Sequence, residues 1–466
     1  MHLRSDHFFG ALLILIRHTG GSVKNHDKQG LGERHMPFEE RGTTARRIAV
    51  IGAGISGLGA AYHLAERNHV VLFEAEPRLG GHARTIVAGK RGDQPVDTGF
   101  IVFNYHTYPH LTALFEALDV PVVESNMSFG VSARGGRFEY GLNSVDAVFA
   151  QRRNLFDPRF LRMVRDILAF NRGSEAALRP GMSIGELVGT LGLGSWFVRH
   201  YLTPFSGAIW STPKLKILDF PADTMVRFFR NHGILDWNEN HQWYTVKGGS
   251  MEYVNRLAAA IEARGVDIRL GAETQAVRRN GFGVEVRVDG CEWEPFDDVV
   301  FATHADDILR MLSDATGVER TALSAVRYQP NRAVLHSDVG AMPKRRKVWS
   351  SWCHVENGAG EDAPIALTYW MNSLQPIPHD DPLFVTLNDQ GGIREEAIHD
   401  ETVFRHPVFD RAAVAAQETV RAINGQHRTW FCGAWMRNGF HEDGLASAVE
   451  VAGLIEAEAS MRFAAE

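Results

Sequence analysis

Arg47-Ile-Ala-Val-Ile51 runs directly into Gly52-Ala-Gly-Ile-Ser-Gly-Leu-Gly-Ala-Ala-Tyr-His-Leu-Ala65, and Val70-Val-Leu-Phe73 follows, ending at Glu74. The outer runs have the length and apolar character of buried strands, and the small and apolar residues between them suit a helix. This is a β-α-β unit with G-x-G-x-x-G at its first turn and an acid 22 positions beyond Gly52, the spacing of a dinucleotide fold. Gly52 permits the tight turn, Gly54 admits a pyrophosphate against the backbone, and Gly57 lets helix and strand pack closely. The helix entry at Ile55 and Ser56 adds partial positive charge, and Glu74, followed by Ala75, is placed to accept from ribose hydroxyls. Nicotinamide and flavin dinucleotides share the adenosine half that this unit reads, so both stay open at this point.

Outward from that unit, the 466-residue chain has room for about three domain equivalents. Hydrophobic residues at 44% and charged residues at 23% describe a folded globular chain rather than a disordered or fibrous one. A formal charge of -7 supplies no global cationic field, which argues against nucleic acid as partner. Cys291, Cys353 and Cys432 lie far apart with no C-x-x-C pair, a pattern for a reducing compartment, and no histidine shows metal-ligand spacing. No metal is assigned. The apolar run from His7 to Ile16 is too short to span a bilayer and lacks a cleavage site. Residues 1–45 read as a disordered extension, with Met36 as an alternative start.

Further along, residues 106–118 suit a helix, and Ser128–Arg134 with Arg137–Tyr140 suit a hairpin about Gly135-Gly136. Residues 144–200 read as helices. A strand pair is expected at Val284–Val288 and Val299–Ala302, aromatic-rich sheet at Val334–Tyr369, then a strand at Thr429–Cys432 and a helix from Asp443 or Gly444. The expected architecture is α/β. A discontinuous Rossmann-like cofactor domain (46–105, 242–310 and 400–466) interleaves with an α+β substrate domain (106–241 and 311–399).

The segment Arg78-Leu-Gly80-Gly81-His82-Ala-Arg84-Thr85 resembles the R-x-G-G-R-x-x-T/S segment of the flavin-containing amine oxidase, protoporphyrinogen oxidase and phytoene desaturase superfamily. His82 stands where an arginine is usual. The resemblance implies non-covalent FAD, with Arg78, Gly80 and Gly81 at the pyrophosphate, Val277 at the adenine and Ala302 at the end of an A-T-G-like strand. Thr98, Gly99 and Gly433 belong to the same cofactor set. The closing segment from Gly439 to Ala448 implies a helix aimed at the flavin from Asp443, with the backbone of Gly444 and Leu445 facing it. Glu442 and Asp443 also suit helix capping. Asp97–Asn104, Ala208–Ser211, Asn231–Leu235 and Trp349–Trp352 together resemble bacterial oxidoreductases known as predicted NAD/FAD-binding proteins. Those are often encoded beside cyclopropane-fatty-acid-synthase-like methyltransferases.

That likeness implies an FAD-dependent enzyme of lipid metabolism, moving hydride from a C–H bond of an apolar, fatty-acyl or lipid substrate to flavin N5. Its alternatives are a flavin amine oxidase, or a non-catalytic FAD- and lipid-binding partner subunit of a lipid methyltransferase. Gln329–His336 carries Arg332 and no lysine, which counts against an amine. No side chain is assigned the chemistry, but Phe440, His304 and His441 are candidates to line the site. Tyr201, Phe205, Trp210, Phe228, Phe229, Trp237, Trp243, Trp349, Trp352, Tyr369 and Trp370 supply core, and some of them an acyl pocket. Arginines interleave with apolar residues over 152–172, either as a solvated helix face or as a surface for anionic lipid. The corresponding location is cytoplasmic, or peripheral at the inner face of the membrane, with the oligomeric state open.

Overall fold

The computed structural model describes residues 45–210, 217–232, 234–235, 241–356, 365–389 and 391–465. The expected extension lies outside these residues except for Ala45, as do Trp237 and the side chain of Trp210. Five parallel strands, in the order Asp267–Arg269, His69–Phe73, Arg47–Ile51, Asp298–Phe301 and Thr429–Phe431, form one sheet. Ile51 pairs with both Phe73 and Phe301, and Phe301 with Phe431, so these four strands stop at the same edge. Gly52, Glu74, Ala302 and Gly433 follow within two residues of it, placing a ligand crevice outside the carboxyl ends. Both faces of the sheet are covered. Ile48, Val50 and Val300 pack with helix Ile55–Leu64 on one side, and Ala49, Val299 and Phe301 with Ile308 and Val420 on the other.

The expected strand pair at 284–288 and 299–302 does not pair. Val284–Val288 lies antiparallel between Thr274–Arg279 and Glu294–Phe296, whereas Asp298–Phe301 is fully buried in the parallel sheet. The larger, seven-stranded sheet runs in the order Ile398–Val408, Arg327–His336, Phe384–Leu387, Leu367–Trp370, Trp352–Val355, Phe129–Ala133 and Phe138–Gly141. Ile398–Val408 thus continues the sheet of 311–399 into the segment expected to bind cofactor. The hairpin turn puts Arg134, Gly135 and Gly136 at φ 54°, 64° and 80°.

Helix Pro158–Ala177 starts on Asp157, whose carboxylate accepts from the Arg159 amide, with proline at the first position. It buries Phe160, Met163, Ile167 and Phe170 in the aromatic core beneath the large sheet. The closing helix begins at His441, ahead of the expected Asp443, because the Asp443 carboxylate accepts from the Phe440 amide and fixes the first turn there.

Candidate active site

One cavity of about 1400 Å³ runs from the crevice of the parallel sheet into the aromatic core. Its first wall is the glycine turn. Gly52 sits at φ +97°, and a Cβ on Gly57 would lie 1.7 Å from the Gly52 carbonyl oxygen, so neither position tolerates a side chain. At Gly54 a Cβ would meet nothing within 4 Å, leaving open room over the backbone beside the helix entry. The Gly80-Gly81 loop closes on this turn through a bridge between Gly54 and Gly80. Arg78 shapes that loop, donating to the carbonyls of Gly81 at 2.9 Å and Ala83 at 3.2 Å. Glu74 accepts from the Ala53 and Glu76 amides, and burial raises its pKa. Thr303 lies on the same wall with a buried Oγ1 that has no partner among the described residues. Open glycine backbone, a helix N-terminus and an orphaned hydroxyl fit the diphosphate and ribose of a dinucleotide.

At the next stretch of wall the chain repeats this use of glycine. A Cβ at Gly99 would lie 2.0 Å from the His82 carbonyl oxygen, which instead accepts the Phe100 amide. His82 is ringed by Phe404, His406 and His304 at centroid distances of 4.9, 5.7 and 5.9 Å, and bonds to the Arg405 backbone. His304 stacks on Tyr328 at 4.3 Å. His441 stacks on Phe100 at 3.9 Å, and its Nε2 is 2.6 Å from the Tyr253 hydroxyl. Burial is the main cause that lowers the pKa of His82 to about 4 and of His304, His406 and His441 to about 3. Four neutral imidazoles therefore border the cavity at neutral pH. His304, Asp306 and Asp307 bring ligand atoms within 4.8 Å of one another, but Arg405 pairs with both carboxylates.

Beyond them the cavity becomes an aromatic chamber. Phe228 stacks on Phe440 at 4.7 Å, Phe205 meets Tyr201 at 5.7 Å and Phe129 at 4.9 Å, and Trp352 is edge-on to Tyr369 at 5.3 Å. Trp243 and His232 complete this wall. Phe229, Trp349 and Trp370, also in the expected aromatic supply, pack away from the cavity.

Of the residues expected at the cofactor, Gly52, Gly54, Ile55, Ser56, Glu74, Arg78, Gly80, Gly81, His82, Thr98, Gly99, Ala302 and Gly433 line the cavity, as do Phe440, His304 and His441. The others are placed differently. Gly57 serves the packing behind the turn, and Ala75 is exposed beside it. Val277 is fully buried in the core, with its carbonyl accepting the Ser313 amide, so it does not face the cavity. Gly444 and Leu445 form the contact with the first helix: a Cβ on Gly444 would lie 2.8 Å from Ser56 Oγ, and Leu445 abuts Gly59. Gly444 donates to the Phe440 carbonyl, so the amides without intrahelical acceptors are one turn earlier, at His441–Asp443. The Glu442 carboxylate caps a different helix, taking the His110 and Leu111 amides at 2.9 Å each. Thr303, His406, Arg405 and His232 were missed. Thr303 directly follows Ala302 at the A-T-G-like strand end and His232 stands within Asn231–Leu235, so both carried a local signal, whereas His406 and Arg405 reach the wall only through the fold.

The fold and cleft are those of a dinucleotide-binding oxidoreductase. The profile of the flavin containing amine oxidoreductase family matches residues 55–336, and the chain belongs to that family. FAD is therefore its cofactor, and flavin-dependent oxidation and reduction is the chemistry of the family. Tryptophan 2-monooxygenase of Pantoea agglomerans is 38% identical over 96 residues, which cover 20% of this chain and 14% of that one. Mitochondrial protoporphyrinogen oxidase of Nicotiana tabacum is 49% identical over 49 residues, 10% of either chain. The matched stretches thus span a small part of these curated relatives. Among solved structures, a fatty acid isomerase from P. acnes that produces CLA superposes with a TM-score of 0.64 at 13% identity, covering 89% of this chain and 99% of that one. Cyclohexylamine oxidase from Brevibacterium oxydans superposes at 0.62 and 13% identity, covering 88% and 100%. Among the described residues, no helix is long and apolar enough to cross a membrane.

Proposed function

We propose that this flavoprotein oxidises a C–H bond of an apolar substrate, and that the substrate is a fatty-acyl chain. Proteins named for acyl and for amine substrates share the fold, so the fold does not choose between them and the chamber must. One observation carries the reading: among the described residues the chamber wall is aromatic and its buried part presents no unpaired charge to an ammonium group. No lysine lines the cavity among the described residues. Of its carboxylates, Glu74 and Glu76 stand at the glycine turn, Glu124 is exposed, and Asp307 is paired with Arg405. An amine would enter without a counter-charge, at a desolvation cost of several kcal/mol. A methylene chain would gain about 0.8 kcal/mol for each group buried.

FAD bound here supplies two-electron oxidation. The chain's residues set the conditions for it. Gly54, Gly80 and Gly81 offer backbone to the phosphates, Phe440 and Phe228 wall the site against water, and the neutral histidines keep positive charge away from the reacting carbon. The free amides at the start of His441–Ala465 bring a positive dipole end to the same wall, worth up to about 2 kcal/mol toward negative charge. Anaerobic titration of the purified flavoprotein tests the proposal. Acyl lipids are expected to bleach the visible flavin absorbance and small amines to leave it; bleaching by amines alone overturns the acyl reading.

A further inference from the structure

Two stretches remote in sequence meet on one face of the molecule. Arg152 and Lys347 both pair with the carboxylate of Asp146, joining the loop before Trp349 to residues 145–165. Residues 145–166 carry five arginines against Asp146, Asp157 and Asp166, with Arg162 and Arg165 paired to Asp166, and residues 344–347 are all lysine or arginine. The chain as a whole has a formal charge of -7, so this cationic excess is local. Within it Phe156 is 86% exposed, Val145 75%, Leu161 43% and Leu155 41%. Four apolar side chains standing out of a ring of cations are costly in water, and they match the chemistry of an anionic bilayer surface, where phosphates meet acyl chains.

We infer that this face docks on anionic phospholipid, with Phe156 and its aliphatic neighbours entering the acyl boundary. The inference rests on the surface alone and holds whichever substrate is oxidised. A second copy of the chain is a poor occupant, because a two-fold axis through the patch would set its cations against themselves. Nucleic acid has no use for exposed Val145, Leu155 and Leu161, which cannot stack on bases as an aromatic does. Position agrees with the inference. Helix Pro158–Ala177 carries Leu161 outward near its start, while its Ile167 and Asn171 line the cavity; Leu142 and Asn143, just before Val145, line it as well. The patch therefore lies along the chain beside residues that line the aromatic chamber.

Co-sedimentation of the full flavoprotein with vesicles tests this. Vesicles of phosphatidylglycerol mixed equally with phosphatidylcholine are expected to carry the protein down at low salt and to release it at high salt, and pure phosphatidylcholine is expected to leave it in solution. Arg153→Ser with Lys347→Ser should weaken partitioning roughly thirtyfold, at about fivefold per cation. Phe156→Ser should weaken it roughly tenfold. All three positions are exposed, so melting temperature and flavin content should stay at wild-type values. Equal binding to neutral vesicles, no binding to anionic ones, or wild-type partitioning by both variants overturns the inference. So does a self-association that Phe156→Ser abolishes, or an oligonucleotide bound in preference to vesicles.

Discussion

Glycine is the residue through which this chain makes room, and Gly57 is the sharpest case. Its missing Cβ would collide with the Gly52 carbonyl at 1.7 Å and crowd Ala302 at 3.3 Å. Gly57→Ala should push helix from strand, cost about 3 kcal/mol, and release FAD, as read from melting temperature and visible absorbance. Asp97 supplies a pH dependence. Its carboxylate is buried and accepts from Thr85, Ser250 and Gln375, and burial raises its pKa to about 6. The folded chain thus holds this proton more tightly than the unfolded chain. The stability linked to Asp97 is full below about pH 4 and is lost as pH rises through about 6. The advantage of wild type over Asp97→Asn, measured by denaturant, should shrink by about 3 kcal/mol across that window. At this scale, the residues legible in sequence were those whose function is local. The glycine turn and Glu74 lie within one β-α-β unit, while His406 and Arg405 become wall residues only once distant elements meet.

Elements were legible by type and much less by partner. Val284–Val288 and Asp298–Phe301 both read as strands, yet nothing in either run states that one joins an antiparallel sheet and the other the parallel sheet. The closing helix shows the same limit at its start. Glu442 and Asp443 look alike as caps, but Asp443 takes the amide of Phe440 while Glu442 reaches helix Pro109–Ala117. One side chain therefore ties the N-termini of two helices. Glu442→Ala would leave two amides without an acceptor and should cost about 2 kcal/mol in chemical denaturation. Glu442→Gln keeps one acceptor oxygen and should lose about 1 kcal/mol. If both variants lose nothing, the two helices are held by apolar packing alone.

The cavity belongs to no single sheet. Its glycine end is built on the parallel sheet, and its aromatic end on Phe129, Trp352 and Tyr369 of the seven-stranded sheet. A ligand that binds only the folded state stabilises it in proportion to the logarithm of its concentration, about 2.7 kcal/mol at a hundred times its dissociation constant. Where that stabilisation is felt depends on how the two sheets are joined, and here the chain passes between them several times. Strand Ile398–Val408 pairs with Arg327–His336 in the large sheet while its Phe404 and His406 pack against His82 beside the glycine loop. Removing FAD should therefore lower the melting temperature by several degrees and also speed amide hydrogen exchange in Phe129–Ala133 and Trp352–Val355, far along the chain from the glycine turn. Hydrogen exchange measured with and without FAD checks this directly. Faster exchange confined to residues 47–84 would mean that the two sheets open independently, with the cavity a gap between them rather than a chamber they share.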